Sequence, residues 1–351
     1  MKAVSLEKLK EGMILARTVV DSNFVIVLSE NTALTETGIR RLQSLDVPFI
    51  YIKDQFDLSK NFQQAEAVDK KDAAFSHDFN TISKLAGQIF AELKVGKKSE
   101  ETVTKLAAQI LPLAGNHASI NYLFNLGHMN KTLELHSERV SIIAGTLAKW
   151  MKLDWEEIRT IVTAAFLHDV GKREMPEEIL SKNPKDFSDE EKNIYRTHCQ
   201  KGFETLRDAN FDEPIPTVAL QHHETMNGEG FPNGLAGEKI HLFSRIVAVA
   251  DAYEHWTSER EGDVKKTPFD AVNYFIREIY YSFDPGVCVP LLTRIKDSLI
   301  GSSVTLSDGR KGRVIFYPQD FSAMPIVVTE DGQEINLNLR KNLSITQYEI
   351  K

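Results

Sequence analysis

Phe166-Leu167-His168-Asp169-Val170-Gly171-Lys172 is the stretch on which the reading of this chain turns. An apolar helical run ends here on an imidazole and a carboxylate. A glycine follows that lets the chain turn, and Lys172 sets a cation beside the pair. An apolar core gains nothing from a buried His-Asp pair unless something binds it. Neutral imidazole suits borderline transition metals, and one carboxylate can bridge two cations with its two oxygens. The dipeptide alone is a weak signal. His77, His117, His128, His241 and His255 show histidine used in this chain without such company.

Outward from the pair, His136 precedes it, and His198, His222-His223 and Asp251 follow. His136–Met151 and Asp154–Val170 have the spacing of amphipathic helices. Asp154 is a good N-cap for the second, with Glu156 and Glu157 in its first turn. Ser188-Asp-Glu-Glu191 reads as a capping box opening the next helix. Arg245–Ala252 reads as an apolar helix ending near Asp251, with Glu254 one turn further on. These separations fit helices converging on a bundle core, a common place for metal sites. Asp251 is equally well a helix-face carboxylate. The Gly-rich segment Gly228-Glu-Gly-Phe-Pro232 after the histidine pair also reads as a simple helix stop.

The chain has 351 residues, enough for roughly two domains. With 42% hydrophobic and 26% charged residues it has the composition of a globular protein with a real core. Its net charge of −8, from 42 Lys+Arg against 50 Asp+Glu, argues against duplex nucleic acid as a partner. Cys199 and Cys288 make no disulfide framework and suggest a reducing compartment. Cys199, next to His198, reads as a small buried hydrophobe rather than an extra ligand. The start, MKAVSLEKLKEGM, lacks the apolar stretch of a signal peptide. No run reaches the ~18 apolar residues of a membrane span. A cytoplasmic location without membrane contact is therefore expected.

The expected fold is mainly α: a helical bundle at 76–299 between a small α/β domain at 1–54 and a small β appendage at 300–351, with a polar linker at 55–75. In the first domain Met13–Val20, Phe24–Ser29 and Pro48–Ile52 read as strands and Thr35–Leu45 as a helix. In the last, Ser303–Leu306 pairs with Gly312–Tyr317, and Pro325–Thr329 with Glu334–Leu339, as two hairpins.

Together the motifs resemble the HD-GYP family, the group of HD-domain metal phosphohydrolases that cleaves cyclic di-GMP. The resemblance runs over about residues 120–299, through His136-Ser-Glu-Arg-Val140, His168-Asp-Val-Gly-Lys172, Pro176-Glu-Glu-Ile-Leu180 and His198. It continues through His222-His-Glu, Gly228-Glu-Gly-Phe-Pro232, Arg245-Ile-Val-Ala-Val-Ala-Asp251, Thr257-Ser-Glu-Arg260 and Phe283-Asp-Pro285. It implies a helical HD-type domain with His136, His168, Asp169, His198, His222, His223 and Asp251 as metal ligands, Asp169 bridging. It further implies that Asp169 and Lys172 are catalytic, and that Lys172, Arg260, Phe231, Glu254 and Lys201 meet substrate or lie beside it. Thr132 stands where some members carry a Glu for a third metal, so two divalent ions are expected, iron or manganese, with zinc as the alternative. The implied activity is hydrolysis of cyclic di-GMP to linear pGpG, with a further cut to GMP left open. The alternatives are another cyclic dinucleotide, such as cyclic GMP-AMP, and a non-catalytic receptor. The chain departs from the pattern at Phe231, which replaces the motif's Tyr, and at His255-Trp256 and Glu261-Gly-Asp263, which border the implied groove. A homodimer, and a protein partner at the N-terminal domain, are left open.

Overall fold

A computed structural model of the chain describes residues 132–258, 267–318 and 324–349 without interruption. It also describes 100–114, 87–93, residues 82, 84 and 85, and parts of 2–52. The chain divides into two compact units, Met1–Ala73 and Ala74–Lys351.

In the first unit β1 (Lys2–Ser5) pairs antiparallel with β4 (Phe49–Ile52), Lys2 opposite Ile52. β2 (Val19–Val20) pairs with β3 (Ile26–Leu28), and α1 spans Glu36–Gln43. Leu9, Leu15, Leu34 and Leu42 form its buried centre. Of the expected strands at 13–20 and 24–29, residues 19–20 and 26–28 are strand, while residues 14, 16–18, 24, 25 and 29, the turn at 21–23 and the linker at 55–75 fall outside the described residues.

In the second unit residues 87–93 are helical, and α2 (Glu100–Ile110), α3 (Leu133–Trp150) and α4 (Trp155–Leu167) follow. Thr132 caps α3 by accepting the Leu135 N–H, and Asp154 and Glu157 close a reciprocal capping box on α4. Residues 137–148 of α3 are buried throughout. Gly145 brings α3 and α4 close: a Cβ there would lie 2.7 Å from the Val162 side chain. After a 3₁₀ turn (Val170–Glu174) come the one-turn α5 (Glu177–Leu180) and α6 (Asp189–Asp208). The box expected at Ser188 and Glu191 opens α6. α7 (Ile215–Gln221), α8 (Leu242–Thr257), α9 (Pro268–Glu278) and α10 (Pro285–Leu299) complete the helical part.

Two helix ends differ from the sequence reading. α4 stops at Leu167, so His168 and Asp169 sit on the turn out of the helix, and α8 runs on to Thr257, so Asp251 lies inside it. Gly171 does not have a left-handed backbone. It is needed for close approach, because a Cβ there would lie 2.0 Å from the His198 carbonyl oxygen on α6.

The tail forms an antiparallel sheet in the order β8-β7-β6-β5-β9: β5 (Ser303–Leu306), β6 (Lys311–Phe316), β7 (Ile326–Thr329), β8 (Glu334–Asn336) and β9 (Ile345–Glu349). Both expected hairpins are present. β9 was not foreseen; its sequence, Ile-Thr-Gln-Tyr-Glu, lacks an apolar run. Val304, Leu306, Val314, Val327, Ile335 and Ile345 join the same buried core as the helices. The mainly helical class, with a small β part at each end, is thus as the sequence reads.

Candidate metal centre

α3, α4 and α8 pack on one another, and α6 packs on α7 and on the 3₁₀ turn. Each of these elements brings a polar residue to one place: His136 from α3, His168-Asp169 from the end of α4, His198 from α6, His222-His223 from the end of α7, and Asp251 from α8. Two groups form there. His136, His168 and Asp251 have potential ligand atoms within 4.8 Å of one another, as do His198, His222 and His223 with Cys199. Asp169 lies between the groups and shows each a different oxygen. Its Oδ2 is 3.4 Å from Nε2 of both His136 and His168. Its Oδ1 is 3.4 Å from His198 Nε2 and 3.5 Å from His222 Nε2.

The imidazoles are held in one tautomer. Nδ1 of His168, His198 and His222 faces the carbonyl oxygens of Ala165 (2.6 Å), Tyr195 (2.6 Å) and Ala219 (2.9 Å). A carbonyl only accepts, so each Nδ1 carries a proton and Nε2 is the atom left to face a metal ion. Two lone pairs meet where the neutral His198 and His222 approach at 3.4 Å between Nε2 atoms; His136 and His168 approach at 3.3 Å. His223 Nε2 and Asp169 Oδ1 are buried without a hydrogen-bond partner. Acceptors facing acceptors in a buried place repel unless cations lie between them. The donor set therefore fits bound metal ions.

Protonation at His198, His222 and His223 agrees with this role. Burial lowers the His198 imidazole to about 3, and it depresses His222 and His223 as well, keeping all three neutral. Burial opposes the charge of Asp169 and of Asp251. Lys172 and His168 for the first, and His136 and His168 for the second, still hold them well below the ordinary carboxylate range. Burial also pushes His136 down, but the Glu254 charge and hydrogen bonds to Asp169 and Asp251 carry it well above its ordinary value.

The expected supporting residues divide. Lys172 is in place: its ammonium donates to Asp169 Oδ2 and lies 5.3 Å over the Tyr195 ring. Phe231 is beside the centre, 4.6 Å from the His223 ring. Glu254 is buried, and its oxygens are taken by His136 Nδ1 (2.8 Å), Arg139 Nε (2.6 Å) and the Ser258 hydroxyl, contacts that orient His136. Lys201 donates to the Glu174 carbonyl (3.2 Å) and makes no contact with the ligand cluster among the described residues. Arg260 and Glu261-Gly-Asp263 lie outside the described residues. Trp256 stacks on Tyr274 of α9 at 4.3 Å. Burial raises the Cys199 thiol, as befits the small buried residue expected, although its Sγ is 3.5 Å from His198 Nε2. Sequence reasoning missed Arg139, Tyr195 and Arg196. Only their spacing of two or three residues from His136 and His198 could have pointed to them.

A family model described as HD domain matches residues 105–287. The cyclic di-GMP phosphodiesterase response regulator RpfG of Xanthomonas campestris is 39% identical over 159 residues, 45% of this chain and 42% of that protein. A cyclic di-GMP phosphodiesterase of Pseudomonas aeruginosa is 34% identical over 184 residues, 52% of this chain and 44% of that one. The 3'3'-cGAMP-specific phosphodiesterase 1 of Vibrio cholerae is 34% identical over 125 residues, 36% of this chain and 29% of that one. The chain thus spans less than half the length of each of these relatives. Among solved structures, an HDG"Y"P protein from Bdellovibrio bacteriovorus is similar in fold, with TM-score 0.53 and 16% identity over 84% of this chain and 98% of that one.

Proposed function

The chain belongs to the HD domain family, and from that membership we propose that it is a metal-dependent hydrolase cleaving one phosphodiester of cyclic di-GMP. The observation that carries this reading is Asp169, whose two oxygens address two separate imidazole groups. His136, His168, Asp169 and Asp251 would hold one divalent ion, and His198, His222, His223 and Asp169 the other. A set dominated by imidazole suits iron or manganese, with zinc as the alternative, over Mg²⁺, which prefers an oxygen shell. Thr132 is occupied in capping α3, which favours two ions over three.

When bound, such ions supply Lewis acidity to a phosphate oxygen and lower the pKa of a coordinated water. The chain's own residues prepare the place. Glu254 is balanced by Arg139 and Asp169 by Lys172, so a centre loaded with two divalent cations would stay positive toward an anionic phosphodiester. Lys172 supplies a point charge beside Asp169, where negative charge grows as phosphorus is attacked. Burial pushes its ammonium down, but the Asp169, Tyr195 and Asp251 charges keep its pKa above the ordinary lysine value, so it enters as a cation. Water adds to phosphorus, the P–O3′ bond breaks, the 3′ oxygen takes a proton, and pGpG is the first product.

A second reading, hydrolysis of 3'3'-cGAMP, is favoured by Phe231 in place of a tyrosine and by relatives named as specific for that dinucleotide. Product analysis of cyclic di-GMP, 3'3'-cGAMP and cyclic di-AMP, with metal quantified in the same anaerobic preparation, tests both. Cyclic di-GMP is expected to give pGpG with two ions per chain. Turnover confined to 3'3'-cGAMP supports the second reading, and a metal-loaded protein inert toward all three overturns both.

A further inference from the structure

We propose that Arg196 binds the second phosphate of the cyclic dinucleotide, the one not held at the metal centre; this rests on the phosphodiesterase reading above. Arg196 is on α6, two residues before His198, and its side chain is exposed. Its guanidinium lies over the Phe231 ring, 5.3 Å from the centroid. That ring is fixed to the centre. It sits 4.6 Å from the His223 ring and 6.3 Å from the His198 ring, and the Phe231 N–H donates to the His223 carbonyl at 3.2 Å. The preceding Gly230 leaves no room for a side chain, since a Cβ would lie 2.5 Å from both His223 O and Thr225 N.

Other arginines of this unit have carboxylate partners: Arg139 with Glu254, Arg159 with Glu156, Arg173 with Glu134, Arg245 with Asp284. Among the described residues no carboxylate pairs with Arg196. A guanidinium braced through its face keeps its N–H edge for an acceptor, and that planar fork matches two phosphate oxygens. A cyclic dinucleotide carries two anionic phosphates on one closed ring. The metal centre with Lys172 answers one of them. In a chain of net charge −8 the other needs a local cation, and Arg196 stands beside the ligands of one imidazole group. A phosphate contact is blind to the base, so it would select for two phosphates and not for guanine.

The test is steady-state kinetics of the metal-loaded full chain carrying Arg196→Ala or Arg196→Lys. The substrates are cyclic di-GMP, 3'3'-cGAMP and bis(p-nitrophenyl) phosphate, which has a single phosphate. For Arg196→Ala, KM for cyclic di-GMP should rise about tenfold or more with kcat within about threefold of wild type. The loss in kcat/KM should be at least about fivefold greater on cyclic di-GMP than on the single-phosphate probe. If 3'3'-cGAMP is also turned over, its KM should rise by a similar factor. Arg196→Lys, which keeps the charge but loses the planar fork, should recover part of the KM. An unchanged KM in Arg196→Ala, an equal loss on the single-phosphate probe, or a lysine variant as impaired as the alanine one overturns the assignment while leaving the phosphodiesterase reading intact. A wild type that cleaves only the single-phosphate probe overturns both.

Discussion

Asp169 shares its two oxygens between two imidazole groups, so removing its charge should disturb both ions at once. Asp169→Asn keeps the shape and loses the anion that separates the cations. The expected outcome is loss of both metal equivalents and of turnover, with far-ultraviolet circular dichroism unchanged; a variant retaining two ions would contradict the bridging assignment. Glu254 makes a different demand. Arg139 is buried against it, with a 2.6 Å contact, and the adjacent His136 and Arg139 charges hold the Glu254 carboxyl at about 2 against the cost of burial. Glu254→Gln leaves that guanidinium without its counter-charge, so it should cost about 3 kcal/mol in denaturant unfolding of the metal-free protein. At this scale the cluster of candidate ligands was legible because His-Asp and His-His are conspicuous pairs. The supporting residues were not: Glu254 and Arg139 meet across 115 positions, and nothing local in either segment announces the other.

Two glycines show what elements need to meet. Gly171 lets the 3₁₀ turn press on α6, and any Cβ would collide with the backbone of His198 and Gly202. Gly171→Ala must push the turn bearing Asp169 and Lys172 away from the helix bearing His198. An overpacking penalty of about 1–3 kcal/mol is expected, together with fewer metal equivalents. A thermal scan and metal analysis of one preparation check both, and wild-type values would mean that the turn can yield. The same residue marks the limit of reading elements from sequence. Its presence in a turn was legible, but its reason was not, because the crowding comes from a helix about 30 positions away. Capping boxes at Asp154 and Ser188 were legible, since box and helix are one local circuit. β1 and β9 escaped because each is defined by a distant partner: β1 by β4, and β9 by β5.

The helices and the C-terminal sheet share one core, in which Tyr317 stacks on Phe269 at 6.2 Å and Lys296 donates to the Pro318 carbonyl at 2.9 Å. The change of period near residue 300 was visible in the sequence; the common core was not, because alternation shows which residues face inward but not what they meet. The cluster of candidate ligands is a second place where α3, α4, α6, α7 and α8 meet. Without ions that meeting place is a liability, since the Nε2 lone pairs of His198 and His222 face one another at 3.4 Å and His223 Nε2 and Asp169 Oδ1 are buried without partners. Ions bind the folded arrangement and not the dispersed ligands of the unfolded chain. They should therefore stabilise by mass action, about 4 kcal/mol for ions a thousandfold above their dissociation constant. Chelation should accordingly lower the thermal midpoint of the Ala74–Lys351 unit while leaving helical circular dichroism at low temperature near its starting value, because the apolar core does not depend on the ions. Readdition of manganese or ferrous iron should restore the midpoint and turnover together, and Mg²⁺ should restore neither, because an imidazole-rich set does not suit it. Full recovery with Mg²⁺, or a midpoint indifferent to chelation in a protein shown to have lost its metal, would mean that these histidines are held together by packing alone.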